Sequence, residues 1–96
     1  MKGAGAMNKM KFQFGRVVAT PGALNLAEQG TDLRGYLSRH LAGDWGDLCQ
    51  EDIQENDFSL GNGYRILSAY KTRAGRLWII TEADRSTTTL LLPEEY

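Results

Sequence analysis

The chain has 96 residues, a formal net charge of −1 and 24% charged residues. That length makes one compact domain and is too short for two. Its 42% hydrophobic content is ordinary for a globular chain and argues against a disordered one. No apolar run approaches the ~20 residues that span a bilayer, and the N-terminal residues have no apolar h-region of a secretory signal. A cytoplasmic location, with no membrane association, is the expectation. The single cysteine, Cys49, excludes an intrachain disulfide, and one histidine, His40, excludes a credible all-protein zinc site. No metal or other cofactor is expected.

The small net charge hides an uneven distribution. Met1 to His40 carries six bases and two acids, whereas Leu41 to Leu60 carries six acids (Asp44, Asp47, Glu51, Asp52, Glu55, Asp57) and no base. From Gly61 onward five bases face four acids. An acidic central segment is not the footprint of a general nucleic-acid binder, which presents a basic face. It suits a solvated helix surface or a contact with a basic protein partner.

In chain order, residues 1–10 are small and polar and read as a flexible leader, so that 11–96 forms the folded domain. Phe12–Val18 has the aromatic and β-branched content of a strand. Thr20-Pro21 then supplies an N-cap and a first-turn proline for a short helix through Leu24, Leu26 and Ala27, ended by Gly30. Thr31 or Asp32 can cap a second helix. On it Leu33, Tyr36, Leu37, His40 and Leu41 share one face, and Gly43 follows its end.

His40 thus falls in the last helical turn, turned inward, where the carbonyl end of the helix favours its protonated form. Asp44-Trp45-Gly46-Asp47 is a turn, and Asp47 can cap a third helix from about Leu48 to Leu60. Asn56 shares the apolar face of that helix with Cys49, Ile53 and Leu60 and so needs an internal hydrogen-bond partner. The backbone of the Gly43–Gly46 turn is the nearest candidate in sequence.

The remainder is β: Tyr64–Thr72, Arg76–Glu82 and Thr87–Leu92, joined by short reversals at Arg73-Ala74-Gly75 and Ala83–Ser86. The layout β-α-α-α-β-β-β is an α+β domain, with helices packed on one face of a small antiparallel sheet.

Four groups can carry chemistry. His40 beside Asp44 and Asp47 offers a carboxylate-paired histidine for acid–base work, or a plain cap of helix carbonyls. Trp45, in its glycine-flanked turn, is a lid over the core or a stacking platform. Arg65, Ser68 and Tyr70 share a strand, but parity turns Arg65 away from Ser68. Thr81–Thr87 contains an Asp84-Arg85 pair that either fixes a reversal or presents a guanidinium to phosphate or carboxylate. The binding candidates are therefore Asp44, Trp45, Asp84 and Arg85. The functional weight of the Arg39–Leu48 corner requires the strand end at Glu82–Ser86 to reach it. The chain contains no phosphate loop and no nucleophile elbow.

Arg39-His40, Gly43-Asp44-Trp45-Gly46, Asn56, Ser68-Ala69-Tyr70, Trp78–Ser86 and Leu91–Tyr96 together resemble a family of small uncharacterised bacterial proteins that carry labels such as "plasmid-related protein" or type I restriction subunit. The resemblance runs from about Lys11 to Tyr96 and is most specific in the string ending Asp84-Arg85-Ser86. It implies a bacterial source and a link to plasmids or mobile elements, without a known reaction. A methyltransferase subunit would need a glycine motif and cofactor-binding fold that this chain does not carry.

Two functions follow as expectations. One is a small non-enzymatic accessory or protein–protein interaction protein of a mobile element, modulating host defence or a partner enzyme. The alternative is a small metal-independent ribonuclease of the toxin type, with His40, Glu82, Arg85 and Thr87 as acid–base, clamp and positioning groups. A ligand sensor built on Trp45 and the Asp84-Arg85 turn is a third option.

Overall fold

A computed structural model describes residues 10–96. The expected leader therefore lies outside the described residues, apart from Met10. The elements are β1 (Arg16–Ala19), α1 (Pro21–Glu28), α2 (Leu33–Leu41), α3 (Gln50–Asn62), β2 (Ile66–Lys71), β3 (Arg76–Thr81) and β4 (Thr87–Leu91), with a closing 3₁₀ turn at Pro93–Glu95. The fold is α+β, in the β-α-α-α-β-β-β order that hydrophobic patterning predicts.

The sheet order is β1-β4-β3-β2. β2–β3 and β3–β4 are the antiparallel meander expected from the short reversals, but β1 pairs with β4 in parallel, so the sheet is mixed. The helical crossover after β1 returns the chain in its starting direction to enter β2. Two further reversals leave β4 running the same way, beside β1.

β1 also begins later than the sequence suggests. Gly15 adopts φ 62°, and a Cβ there would lie 2.2 Å from the carbonyl oxygen of Ser86. The backbone thus turns at Gly15 to reach β4, and Phe12 and Phe14 stay outside the strand.

Local signals account for the helix ends. Thr20 accepts from the Ala23 amide, with Pro21 in the first turn of α1, and Asp32 accepts from the Gly35 amide at the start of α2. Glu95 reinforces α1 from the far end of the chain. Its carboxylate accepts from the Gly22 amide (2.9 Å) and the Thr20 hydroxyl (2.5 Å), placing an anion at a helix N-terminus. The start of α3 departs from expectation: Cys49 is the N-cap without a side-chain bond, and Asp47 is used elsewhere.

The core lies between the helices and one sheet face, where Ala23 and Leu26 of α1 meet Tyr70, Leu77, Ile79 and Leu90. On that same face the strands also bury Ser68, Thr81 and Thr88. The opposite face carries Ala69, Trp78 and Leu91, and Tyr96 crosses Trp78 edge-on at 5.6 Å.

Candidate functional site

His40 comes from the last turn of α2 and is completely buried. Its Nδ1 meets the Ser68 hydroxyl of β2, and its Nε2 lies 2.9 Å from the Thr81 hydroxyl of β3. Thr81 continues to Thr88 of β4 (2.7 Å), and Thr88 donates to the Phe14 carbonyl (2.8 Å).

Each hydroxyl has one proton, so this carbonyl terminus sets the direction of the whole chain. Thr88 spends its proton on Phe14 and must accept from Thr81. Thr81 must in turn accept from Nε2–H, which leaves Nδ1 to accept from Ser68. The imidazole is neutral, in the Nε2–H tautomer. Burial lowers its pKa to about 3.

The expectation of a protonated histidine at the helix end is thereby reversed. The carbonyl end of a short helix offers ~0.3–1 kcal/mol to a cation at a surface, and burying an imidazolium without a counter-ion costs more. The carboxylate pairing is also corrected. Asp44 binds Arg39 (2.7 Å) and the Gly46 amide, while Asp47 accepts from the Lys71 amide (2.9 Å). The Arg39 bond holds the Asp44 carboxyl below its ordinary range.

Trp45 is 4% exposed and covers the network from outside. Its ring lies 5.9 Å from His40, Phe12 packs edge-on to His40 at 5.3 Å, and the indole N–H donates to Asp57. Trp45 is the lid rather than the platform.

The corner Arg39–Leu48 also closes one edge of the sheet. The outward backbone groups of β2 are those of Leu67, Ala69 and Lys71. Asn56 takes both groups of Leu67, donating to its carbonyl (2.6 Å) and accepting from its amide (3.2 Å). Asp47 N–H donates to the Ala69 carbonyl, the Ala69 amide donates to the Trp45 carbonyl, and Asp47 receives the Lys71 amide. The inward phase of Asn56 was legible, but its partner is this strand edge and not the Gly43–Gly46 turn. Gly46, at φ 77°, is required: a Cβ would sit 2.1 Å from the Ala69 oxygen.

Arg85 is the one non-glycine residue with positive φ among the described residues, at 62°. Its guanidinium donates to the carbonyls of Ser59, Tyr64, Glu82 and Ala83 and so ties the end of α3 to the β3–β4 reversal. Asp84 accepts from the Ser86 amide, and Glu82 pairs with Arg65 at 3.6 Å. Arg85 thus neither pairs with Asp84 nor projects a free guanidinium. It meets the corner only through Phe12, whose ring lies 5.7 Å below it.

The ribonuclease candidates do not converge. His40 is sealed inside, Arg85 is spent on carbonyls, Glu82 faces Arg65, and Thr87 has the opposite parity to buried Thr88. The network partners could have been recognised from sequence: Ser68, Thr81 and Thr88 are hydroxyls at inward positions of otherwise apolar strands, opposite one inward histidine.

Outside the core, two surface groups stand out. Phe58 and Tyr64 are 60% and 57% exposed and stack on each other at 5.9 Å, 12° from parallel. Phe58 also lines a groove on α3 together with Glu51, Gln54, Glu55 and Ser59. Lys71, Arg76 and Trp78 border a separate cavity at the β2–β3 hairpin. Among the described residues no cluster of three or more ligating side chains could hold a metal, and no helix is long and apolar enough to cross a membrane. No protein-family model, curated protein or solved structure matches the chain.

Proposed function

We propose that this is a small non-enzymatic interaction protein that receives a basic protein partner on the exposed face of α3. The observation that carries the reading is the stacked, solvent-facing pair of Phe58, on α3, and Tyr64, just past its end, beside a helix that carries Glu51, Asp52, Glu55 and Asp57 and no base. An arginine or lysine side chain over such rings gains a cation–π contact, and Glu51 and Glu55, which share the α3 groove with Phe58, supply the counter-charge. Aromatic anchors in an otherwise polar rim are where binding energy concentrates at interfaces.

The interior supports the same reading, because the polar residues that would carry catalysis are consumed in holding the fold. In the setting implied by the resemblance, a plasmid or other mobile element, the partner is a protein of the host's defence or a companion enzyme.

The reading is tested with affinity-tagged protein crosslinked in bacterial cells. A basic partner should be captured by the wild type, lost with Phe58→Ala or Tyr64→Ala, and released as salt is raised. Capture unaffected by both substitutions, or RNA cleavage abolished by His40→Ala, overturns it.

A further inference from the structure

Lys71 and Arg76 are directly opposed across the β2–β3 ladder, and the next opposed pair on the same sheet face is Ala69 and Trp78. Like charges placed opposite each other destabilise a strand pair. This hairpin nevertheless puts two bases there and a third, Arg73, in its loop. The ion pairs among the described residues, Arg39–Asp44 and Arg65–Glu82, include none of the three.

Ala69 is too small to fill the space beside the indole across the ladder. The result is a cavity of about 240 Å³ lined by Asp47, Ala69, Tyr70, Lys71, Arg76 and Trp78. Asp47 is the acid at this site. One of its oxygens is held by the Lys71 amide at 2.9 Å, so it is oriented along the strand edge by the backbone. Trp78 is partly exposed and braced against Tyr96, with ring centroids 5.6 Å apart.

We propose that this cavity binds a nucleotide, its planar base on Trp78 and its phosphate between Lys71 and Arg76. The two halves of the site require both features of the ligand. A flat ring beside a braced indole stacks without sequence preference. A dianionic phosphate relieves the Lys71–Arg76 repulsion, which a neutral ring does not. A simple inorganic anion leaves the indole uncovered. Free mononucleotides and single-stranded nucleic acid present this same chemistry. The site is remote in kind from the α3 face: opposite in charge, and built on strands.

The test follows the two indole N–H resonances of ¹⁵N-labelled full-length protein during titration with AMP, with a six-residue oligothymidylate and with inorganic phosphate. The expected result is a shift of Trp78, with buried Trp45 unmoved, on addition of AMP or the oligonucleotide, and a smaller effect of phosphate. Lys71→Gln and Arg76→Gln should each weaken binding about tenfold, as should Trp78→Leu. Arg34→Gln, the same charge change on exposed α2 surface, should leave binding unaltered. Equal response to AMP and oligonucleotide assigns a free nucleotide; response to the oligonucleotide alone assigns single-stranded nucleic acid. No shift of Trp78 with either, or equal weakening by Arg34→Gln, overturns the proposal.

Discussion

Acidification should destabilise this protein through His40, and the size of the effect follows from the burial of a neutral imidazole. The native imidazole is neutral with a pKa of about 3, against an ordinary value of 6.5 in the unfolded chain. Between those two values the unfolded chain binds a proton that the native chain refuses. Stability is therefore fully present above pH 6.5 and falls as pH drops toward 3, by about 1.4 kcal/mol per pH unit. From pH 6.5 to 4.5 the loss is ~2–3 kcal/mol, against a total of roughly 5–14 kcal/mol for a chain of this size.

The non-titrating comparison is His40→Gln, whose amide can still donate toward Thr81. The variant will be less stable at neutral pH, but only the difference in slope matters. Depressed carboxyls such as Asp44 act in the same direction, below their ordinary 3.8, and cancel between the two proteins. Urea unfolding monitored by tryptophan fluorescence at half-unit steps from pH 7.5 to 4.5 gives both profiles. Histidine ring ¹⁵N shifts give the tautomer directly. Parallel profiles, a native pKa near 6.5, or a proton on Nδ1 would refute the reasoning.

Substitutions at two further positions test the framework around that network. Asn56→Ala strips the Leu67 amide and carbonyl of their partner; the expected loss is ~2–4 kcal/mol in urea unfolding, with concentration-dependent association by light scattering as the strand edge opens. Arg85→Ala and Arg85→Gly both lose four carbonyl contacts, but glycine relaxes the positive φ. The glycine variant should be the more stable of the two by ~1 kcal/mol, and equal stabilities would show that the left-handed backbone carries no strain.

The fold was legible wherever the signal was local. Thr20-Pro21, Asp32 and Gly43 mark helix ends by their own chemistry, and helical phase turned His40 and Asn56 inward without reference to any other element. The sequence offers candidate hydroxyls for His40 but not their pairing, and it does not show the Leu67 edge that Asn56 binds, because both depend on where β2 and β3 lie against the helices. Ser68 and Thr81 meet the histidine only because Ile66 pairs with Thr81 and Ser68 with Ile79. The parallel β1–β4 edge is equally non-local, and Gly15 looked like an interior strand residue until its contact with Ser86 was known. Asp47 shows two backbone ends competing for one carboxylate. Its place before a helix suggested a cap, yet an orphan amide at the sheet edge is as strong a claimant for a carboxylate as a helix N-terminus.

These placements change what the polar density of Arg39–Leu48 means. Gly43 ends a helix, Gly46 lets the backbone touch β2, Asp44 and Asp47 hold amides, and Trp45 seals a neutral histidine. Each is used within the fold, so their concentration marks a covered sheet edge. A binding surface is better sought where polar or aromatic groups have no such internal use. Two places meet that condition: the Phe58–Tyr64 pair among acids, and Trp78 between bases. Their opposite charge makes them separable by salt and substitution, since weakening Lys71 or Arg76 should leave capture on the α3 face intact.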